Sequence, residues 1–397
     1  MESTLIDWLG LLVRWAHVML GVLWIGASFF FIFLDASLRK HDKMPDIMGG
    51  ESWLVHGGGF YLVQKFKVAP EKLPKELHWF RYEAYFTWVS GMVLLAIVYY
   101  LQAEAFMIDK ELLALEPWQA IAISLASLTA GWVIYDLICR SPMRDQTALL
   151  ATSVFILIAI ASYFFAHVFS GRAAYVHIGA FIGTIMAFNV FVIIIPNQKI
   201  VVADLVAGRT PDGKYGKIAK QRSLHNNFLT LPVIFMMISS HYPITFGHQQ
   251  SWLVALGIVI FGGLIRHFYN SLDEGTLDWS GKAALPAAGL VLLGVIAITL
   301  RTPGSDGDVA EVKFPQVYEV MLKHCISCHA VKPTNKLVEK PPAGLVLERP
   351  EQIKAASAKI RLQTVFSKAM PLGNQTGMTD QERKLLGNWI AQGSKLE

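Results

Sequence analysis

Long apolar runs separated by polar loops dominate the first three quarters of the chain. A helix needs about 20 consecutive apolar residues to cross a bilayer. Stretches of about that length lie at residues 8–34, 82–102, 117–139, 147–169, 174–195, 224–241, 251–270 and 283–300. The pattern predicts an all-α fold whose main part, residues 1–300, is an eight-helix transmembrane bundle.

The pattern changes after residue 300. Residues 301–312 are polar and rich in Gly, Ser and Asp, which predicts a linker, and residues 313–397 are long enough for one small all-α domain. Its first helix is predicted to start near Pro315, and its last to run from a capping box at Thr379–Glu382 to Gly393. Elsewhere, alternating residues around three glycines at 53–63 predict a hairpin.

Composition supports membrane insertion, and loop charge gives it a direction. The chain is 53% hydrophobic and 16% charged, with a mean hydropathy of +0.42, and it has no basic element suited to nucleic acid. Basic residues concentrate in the loops 35–81 and 196–223, which predicts that these loops are cytoplasmic and both termini periplasmic. In the second loop they are Lys199, Arg209, Lys214, Lys217, Lys220 and Arg222.

A C-x-x-C-H motif lies at residues 325–329. Cys325 and Cys328 are spaced to attach one haem c covalently, and His329 follows as an axial ligand. Met370, in a loop before a proline, is the favoured sixth ligand, and Met378 is the alternative. The motif predicts a class I-like cytochrome c domain. Such haems are attached outside the cytoplasmic membrane, so we expect a multi-pass protein of the bacterial inner membrane with this domain in the periplasm.

Histidines in the periplasmic half of the bundle suggest a second redox site. Ionisable groups inside a membrane are costly and usually functional, and the predicted topology places His17, His167, His177 and His241 there. Arg14 lies one helical turn from His17 on the same face. Either His17 ligates a haem b whose propionate pairs with Arg14, or His17 only hydrogen-bonds a neighbouring helix while Arg14 reaches the interface.

A second polar group is predicted in the cytoplasmic half. Its members start the sixth predicted helix and end the seventh, and they are His225, Asn226, Asn227, Thr230, Arg266 and His267. Together they could bind a planar, nitrogen-rich anion, with a histidine moving protons. The competing interpretation is helix capping by asparagine and anchoring by Arg266.

The whole chain resembles a known family. The segments Trp15-Ala16-His17, His56–Tyr61 and Ser223–Pro232, followed by a C-x-x-C-H domain, are similar to those of the bacterial membrane-bound urate oxidase (urate hydroxylase) family. The resemblance implies oxidation of urate to 5-hydroxyisourate, with water as the source of the hydroxyl group. Electrons would leave through haem c to a soluble cytochrome c or a terminal oxidase, and not to oxygen with formation of peroxide. The alternatives are a membrane oxidoreductase for a quinol or porphyrinogen, a membrane-anchored electron carrier and a transporter.

Overall fold

The computed structural model describes residues 2–67, 74, 76–300, 311–335 and 338–397. The predicted linker 301–312 lies outside the described residues except for its last two positions. The fold is 70% helix and 5% strand, in agreement with the predicted all-α class. The division into domains at residues 300 and 313 stays a prediction.

In the described part of the chain, the first 300 residues form ten α-helices and one short 3-10 helix, Pro142–Asp145. The α-helices are α1 (Glu2–Ser37), α2 (Tyr82–Tyr100), α3 (Ala103–Phe106), α4 (Pro117–Arg140), α5 (Thr147–Val168), α6 (Gly171–Val206), α7 (Gly213–Ser239), α8 (Pro243–Phe246), α9 (Ser251–Asp273) and α10 (Trp279–Leu300). Within α2 and α6, the turns at Ala96–Tyr100 and Asn189–Ile194 are π-helical.

Seven of the described helices are long and apolar enough to cross a membrane. They correspond to seven of the eight predicted spans. The eighth, 224–241, lies on α7, which is not among the seven, so the count of eight stays a prediction. The N-terminal half of α7 is polar because it contains the residues predicted as a basic loop.

Helix α6 occupies the centre of the bundle, and α1 lies at its edge. In the apolar window of α6, 72% is buried, against 6% for α1. Close helix contacts depend on small residues, as is usual in membrane bundles. An added Cβ atom at Gly262 on α9 would lie 2.7 Å from Cδ of Pro232 on α7.

The predicted hairpin is confirmed. Strands β1 (Met48–His56) and β2 (Gly59–Phe66) pair antiparallel, with His56 opposite Gly59. The two turn residues, Gly57 and Gly58, have φ values of +58° and +77°, which glycine adopts without strain. The hairpin follows α1, and we call its end of the bundle the hairpin end and the other the opposite end.

The C-terminal residues have a hydrophobic cluster of their own. It is built on α11 (Phe314–His324), α12 (Pro350–Ala355), α13 (Ser357–Ile360, continued by a π-helical turn at Arg361–Phe366) and α14 (Asp380–Ala391). Helix α11 buries Val317 and Met321, and α14 buries Leu386 and Trp389. The capping box is also confirmed, because Glu382 N donates to Thr379 Oγ1 at 3.2 Å and Thr379 N to Glu382 Oε2 at 2.7 Å.

Candidate functional site

Two groups of polar side chains are buried at the hairpin end, on different sides of α7. We call the first the Tyr135 network, and it consists of Tyr135, Asp136, Asn189, Arg222, His225 and Asn226. We call the second the Arg266 cluster, and it consists of Phe29, Asn227, Arg266 and Asn270.

The Tyr135 network joins α4, α6 and α7. The Tyr135 hydroxyl contacts His225 Nδ1 at 2.7 Å and accepts from Asn189 Nδ2 at 2.9 Å. Arg222 Nη2 donates to Asp136 Oδ1 at 2.7 Å, and the Arg222 side chain is 2% exposed. Asn189 lies on the π-helical turn of α6, a feature often found at functional sites. The network ties three helices together inside the bundle.

The Arg266 cluster joins α1, α7 and α9. Asn227 Oδ1 accepts from Arg266 Nε at 3.2 Å and from Asn270 Nδ2 at 3.0 Å, and Arg266 Nη2 donates to Asn270 Oδ1 at 2.7 Å. The Arg266 guanidinium carbon lies 4.2 Å from the centroid of the Phe29 ring. The cluster therefore presents one cation, fixed by two amides and an aromatic face.

One donor of this cluster has no partner. Asn227 is fully buried, and its Nδ2 makes no hydrogen bond among the described residues. A buried unpaired donor costs roughly 1–3 kcal/mol, so a ligand acceptor here would recover that free energy. The pairing of a guanidinium with an unused amide N–H suits a planar anion that carries carbonyl oxygens.

The structure therefore divides the predicted cytoplasmic group. It brings Asn227 and Arg266 together, but His225 and Asn226 face α4 and α6. The Thr230 hydroxyl donates to the Asn226 carbonyl at 2.8 Å. His267, half-buried, contacts Ser280 Oγ at 3.2 Å on α10. The prediction that a histidine moves protons for the bound anion gains no support from these contacts.

At the opposite end, His17 binds its neighbouring helix. Its Nδ1 lies 3.0 Å from both Thr87 O and Ser90 Oγ on α2, as the second interpretation of His17 expects. Its Nε2 makes no hydrogen bond in the described part of the chain, and an added Cβ atom at Gly91 would lie 3.0 Å from its Cε1. Arg14 is exposed, as on a helix surface near the interface.

The other three histidines of this half differ in environment. His177 is fully buried, with Nε2 at 2.8 Å from Ser124 Oγ and Nδ1 at 2.7 Å from Ala173 O. His167 and His241 are exposed. Among the described residues, no hydrogen bond or ring contact links any of the three to His17. A haem b at His17 stays a prediction.

The C-x-x-C-H motif has a geometry that fits a covalently bound haem. Cys325 follows the last turn of α11, and His329 N donates to Cys325 O at 2.9 Å, so the motif forms one compact turn. His329 Nδ1 lies 2.9 Å from Leu345 O, an arrangement that orients a ligand histidine with Nε2 toward the metal. Burial raises the pKa of the Cys325 thiol to about 12. Cys325, Cys328 and His329 fit haem c by residue type and by geometry.

The two candidate methionines lie in different environments. Met378 is fully buried in the hydrophobic cluster, whereas Met370 is half-buried. The Met370 carbonyl accepts from Arg383 Nη1 at 2.7 Å, and the Met378 amide donates to Asn374 Oδ1 at 2.9 Å. Full burial of Met378 suits packing, so Met370 remains the favoured ligand.

Several important residues were missed by sequence reasoning. Asp136 could have been found, because a carboxylate inside an apolar segment is a signal in itself. Arg222 was assigned to a cytoplasmic loop, which is wrong, since it is buried in α7 and paired with Asp136. Asn189, Asn270 and Phe29 carry no sequence signal, because only the packing of helices makes them neighbours.

Comparison with known proteins gives one match. A family model described as urate oxidase N-terminal matches residues 3–301 of the 397. No curated protein and no solved structure matches the chain.

Proposed function

The chain belongs to the urate oxidase N-terminal family, and on this premise we propose that it oxidises urate to 5-hydroxyisourate and passes the electrons to its own haem c domain. The family and the apolar helices indicate a membrane oxidoreductase that acts on urate or a related compound. The reaction balances as urate plus water giving 5-hydroxyisourate, two protons and two electrons. The assignment of urate and haem c rests on the Arg266 cluster and on the residues that would hold the haem.

One observation carries the substrate assignment: Asn227 Nδ2 is buried beside Arg266 and has no hydrogen-bond partner among the described residues. Urate is a planar anion at neutral pH, with carbonyl oxygens and ring nitrogens along its edges. In our proposal Arg266 binds its charge, while Asn227 Nδ2 donates to a carbonyl oxygen. Asn270 and Phe29 keep the guanidinium in place, because it hydrogen-bonds the former and stacks on the latter.

The four residues that would hold haem c are Cys325, Cys328, His329 and Met370. When bound, haem c supplies one-electron transfer at a potential raised by a thioether ligand, so the two electrons from urate leave singly. The acceptor after haem c is proposed to be a soluble cytochrome c or a terminal oxidase. Arg383 contributes from the protein side, because its two hydrogen bonds to Thr364 O and Met370 O fix the loop that carries Met370.

A visible spectrum of the detergent-purified protein tests the proposal. It is recorded oxidised, then with urate under anaerobic conditions, then with dithionite, and a pyridine haemochrome assay counts b and c haems. We expect one haem c per chain, reduced by urate. If dithionite reduces the haem and urate does not, the urate assignment fails, and a quinol or porphyrinogen is tested next as the donor. An additional b haem would support the prediction at His17.

A further inference from the structure

The cytochrome domain contacts the membrane domain at Ser367, which lies close to Gly247 after α8, and along the segment that lies between its two methionines. This segment, residues 371–377, contacts α3 and the loop after it at the opposite end of the bundle. Gly373, at a φ of +57°, lies so close that an added Cβ atom would be 2.8 Å from Glu104 O and 3.0 Å from Ala105 O. The contact is between backbones, and glycine is needed there both for space and for conformation.

Asn374 connects this contact to both methionines. Its Nδ2 donates to Glu111 Oε1 at 2.7 Å across the two domains. Its Oδ1 accepts from the Met378 amide at 2.9 Å and from Arg383 Nη2 at 3.3 Å. The Asn374 side chain is 8% exposed. It joins the Glu111 carboxylate to Met378 directly and to Met370 through Arg383.

We propose that residues 371–377 form part of the docking surface of the cytochrome domain for its own membrane domain, and that Glu111 is a positioning residue for the methionine ligand of haem c. The inference rests on the proposed function, because it takes haem c and the Met370 ligand from it. It adds that docking and methionine ligation depend on the same carboxylate.

The test uses the full-length holoprotein with Glu111→Ala, Glu111→Gln and, as a matched control, Glu104→Ala. Glu104 is in the same region and carries the same charge, but its side chain pairs with Lys110 at 3.1 Å. Four quantities are measured: haem per chain, the near-infrared charge-transfer absorption of methionine-ligated ferric haem, the reduction potential, and the rates of haem reduction by urate and by ascorbate.

We expect Glu111→Ala to keep its haem but to lose charge-transfer absorption and to lower the reduction potential. A hydrogen bond to a charged group corresponds to about a tenfold or larger change in an equilibrium constant. Reduction by urate should therefore slow by about tenfold or more, and by a larger factor than reduction by ascorbate, which depends on the reduction potential but not on docking. Glu111→Gln should recover part of the loss, because its amide oxygen can still accept from Asn374, and Glu104→Ala should behave as the wild type.

Hydrogen exchange of residues 371–378 separates this inference from the proposed function. Faster exchange in Glu111→Ala than in Glu104→Ala supports docking even if urate fails to reduce the wild-type haem, and in that case only the proposed function is lost. Wild-type exchange, spectrum and urate-driven reduction in Glu111→Ala would overturn the docking proposal. Equal losses in Glu111→Ala and Glu104→Ala would also overturn it, since loop charge alone would then explain them.

Discussion

The substitution Asn227→Asp tests the amide donor that we assign to a carbonyl oxygen of urate. Aspartate has nearly the same shape as asparagine, and its oxygen can still accept from Arg266 Nε and Asn270 Nδ2, which lie 3.2 and 3.0 Å from Asn227 Oδ1. The unpaired Nδ2 is replaced by a carboxylate oxygen. The change therefore keeps the contacts within the Arg266 cluster and replaces the donor that we assign to a urate carbonyl oxygen by an acceptor.

The expected loss of affinity for urate follows from the hydrogen bond that the Asn227 amide no longer donates. A hydrogen bond from the Asn227 amide to an anion contributes about 1.5–3 kcal/mol, which corresponds to about a 10- to 150-fold change in affinity. The new carboxylate adds repulsion toward urate, so the loss should be at least of this size. Folding stability should be kept or increased, because Arg266 gains a charged partner.

The assay measures kcat and KM for urate-dependent reduction of haem c, with thermal unfolding in detergent as the stability check. We expect KM to rise by at least about tenfold. Asn197→Asp is the matched control, because the one side-chain hydrogen bond of Asn197 among the described residues is to Ile193 O, at 2.7 Å on α6. An unchanged KM in Asn227→Asp, with the protein folded, would refute binding of urate at the Arg266 cluster.

Three further predictions concern ion pairing, ligation and pH. Asp136→Ala leaves the buried cation of Arg222 unpaired and should cost about 3–5 kcal/mol of unfolding free energy, measured by denaturation in detergent. Met370→Ala should abolish the near-infrared charge-transfer absorption, whereas Met378→Ala should keep it and cost about 2–5 kcal/mol of stability through a cavity. For Glu382, burial acts to raise the pKa, but hydrogen bonds, above all from Lys323, outweigh it and lower the pKa from the ordinary 4.5. Its stabilising contribution should be present above pH 4.5 and decline as the pH falls below that value, so a pH series of unfolding should be less acid-sensitive in Glu382→Gln.

Local patterns predicted the helices, the hairpin and the caps. The seven described helices that are long and apolar enough to cross a membrane match runs that hydropathy alone identifies, and the turn at Gly57 and Gly58 has a composition specific to tight hairpins. The capping box at Thr379 is likewise a four-residue signal. In each of these cases, residues adjacent in sequence determine the structure.

The candidate site was predicted less well because it depends on helix packing. His225 and Asn227 are two positions apart on α7 and therefore point to different sides, so a single polar run was separated into two groups. Arg222 illustrates the same limit. Counted by position it belongs to a basic loop, but a partner 86 residues away, Asp136, makes it part of the bundle interior.

The position of residues 371–377 agrees with the proposed direction of electron transfer. The Arg266 cluster lies at the hairpin end and residues 371–377 at the opposite end, so in our proposal electrons from urate cross the bundle. Aromatic rings lie in contact along part of that distance: Phe181 to Phe165 at 6.0 Å, Phe165 to His177 at 5.6 Å, His177 to Tyr99 at 6.4 Å and Tyr99 to Phe106 at 6.4 Å between centroids. Phe106 ends α3, the helix that meets the docking surface. Electron transfer is faster through packed side chains than across empty gaps. The arrangement therefore favours electrons leaving the membrane domain at α3, directly against the segment that we propose positions the methionine ligand.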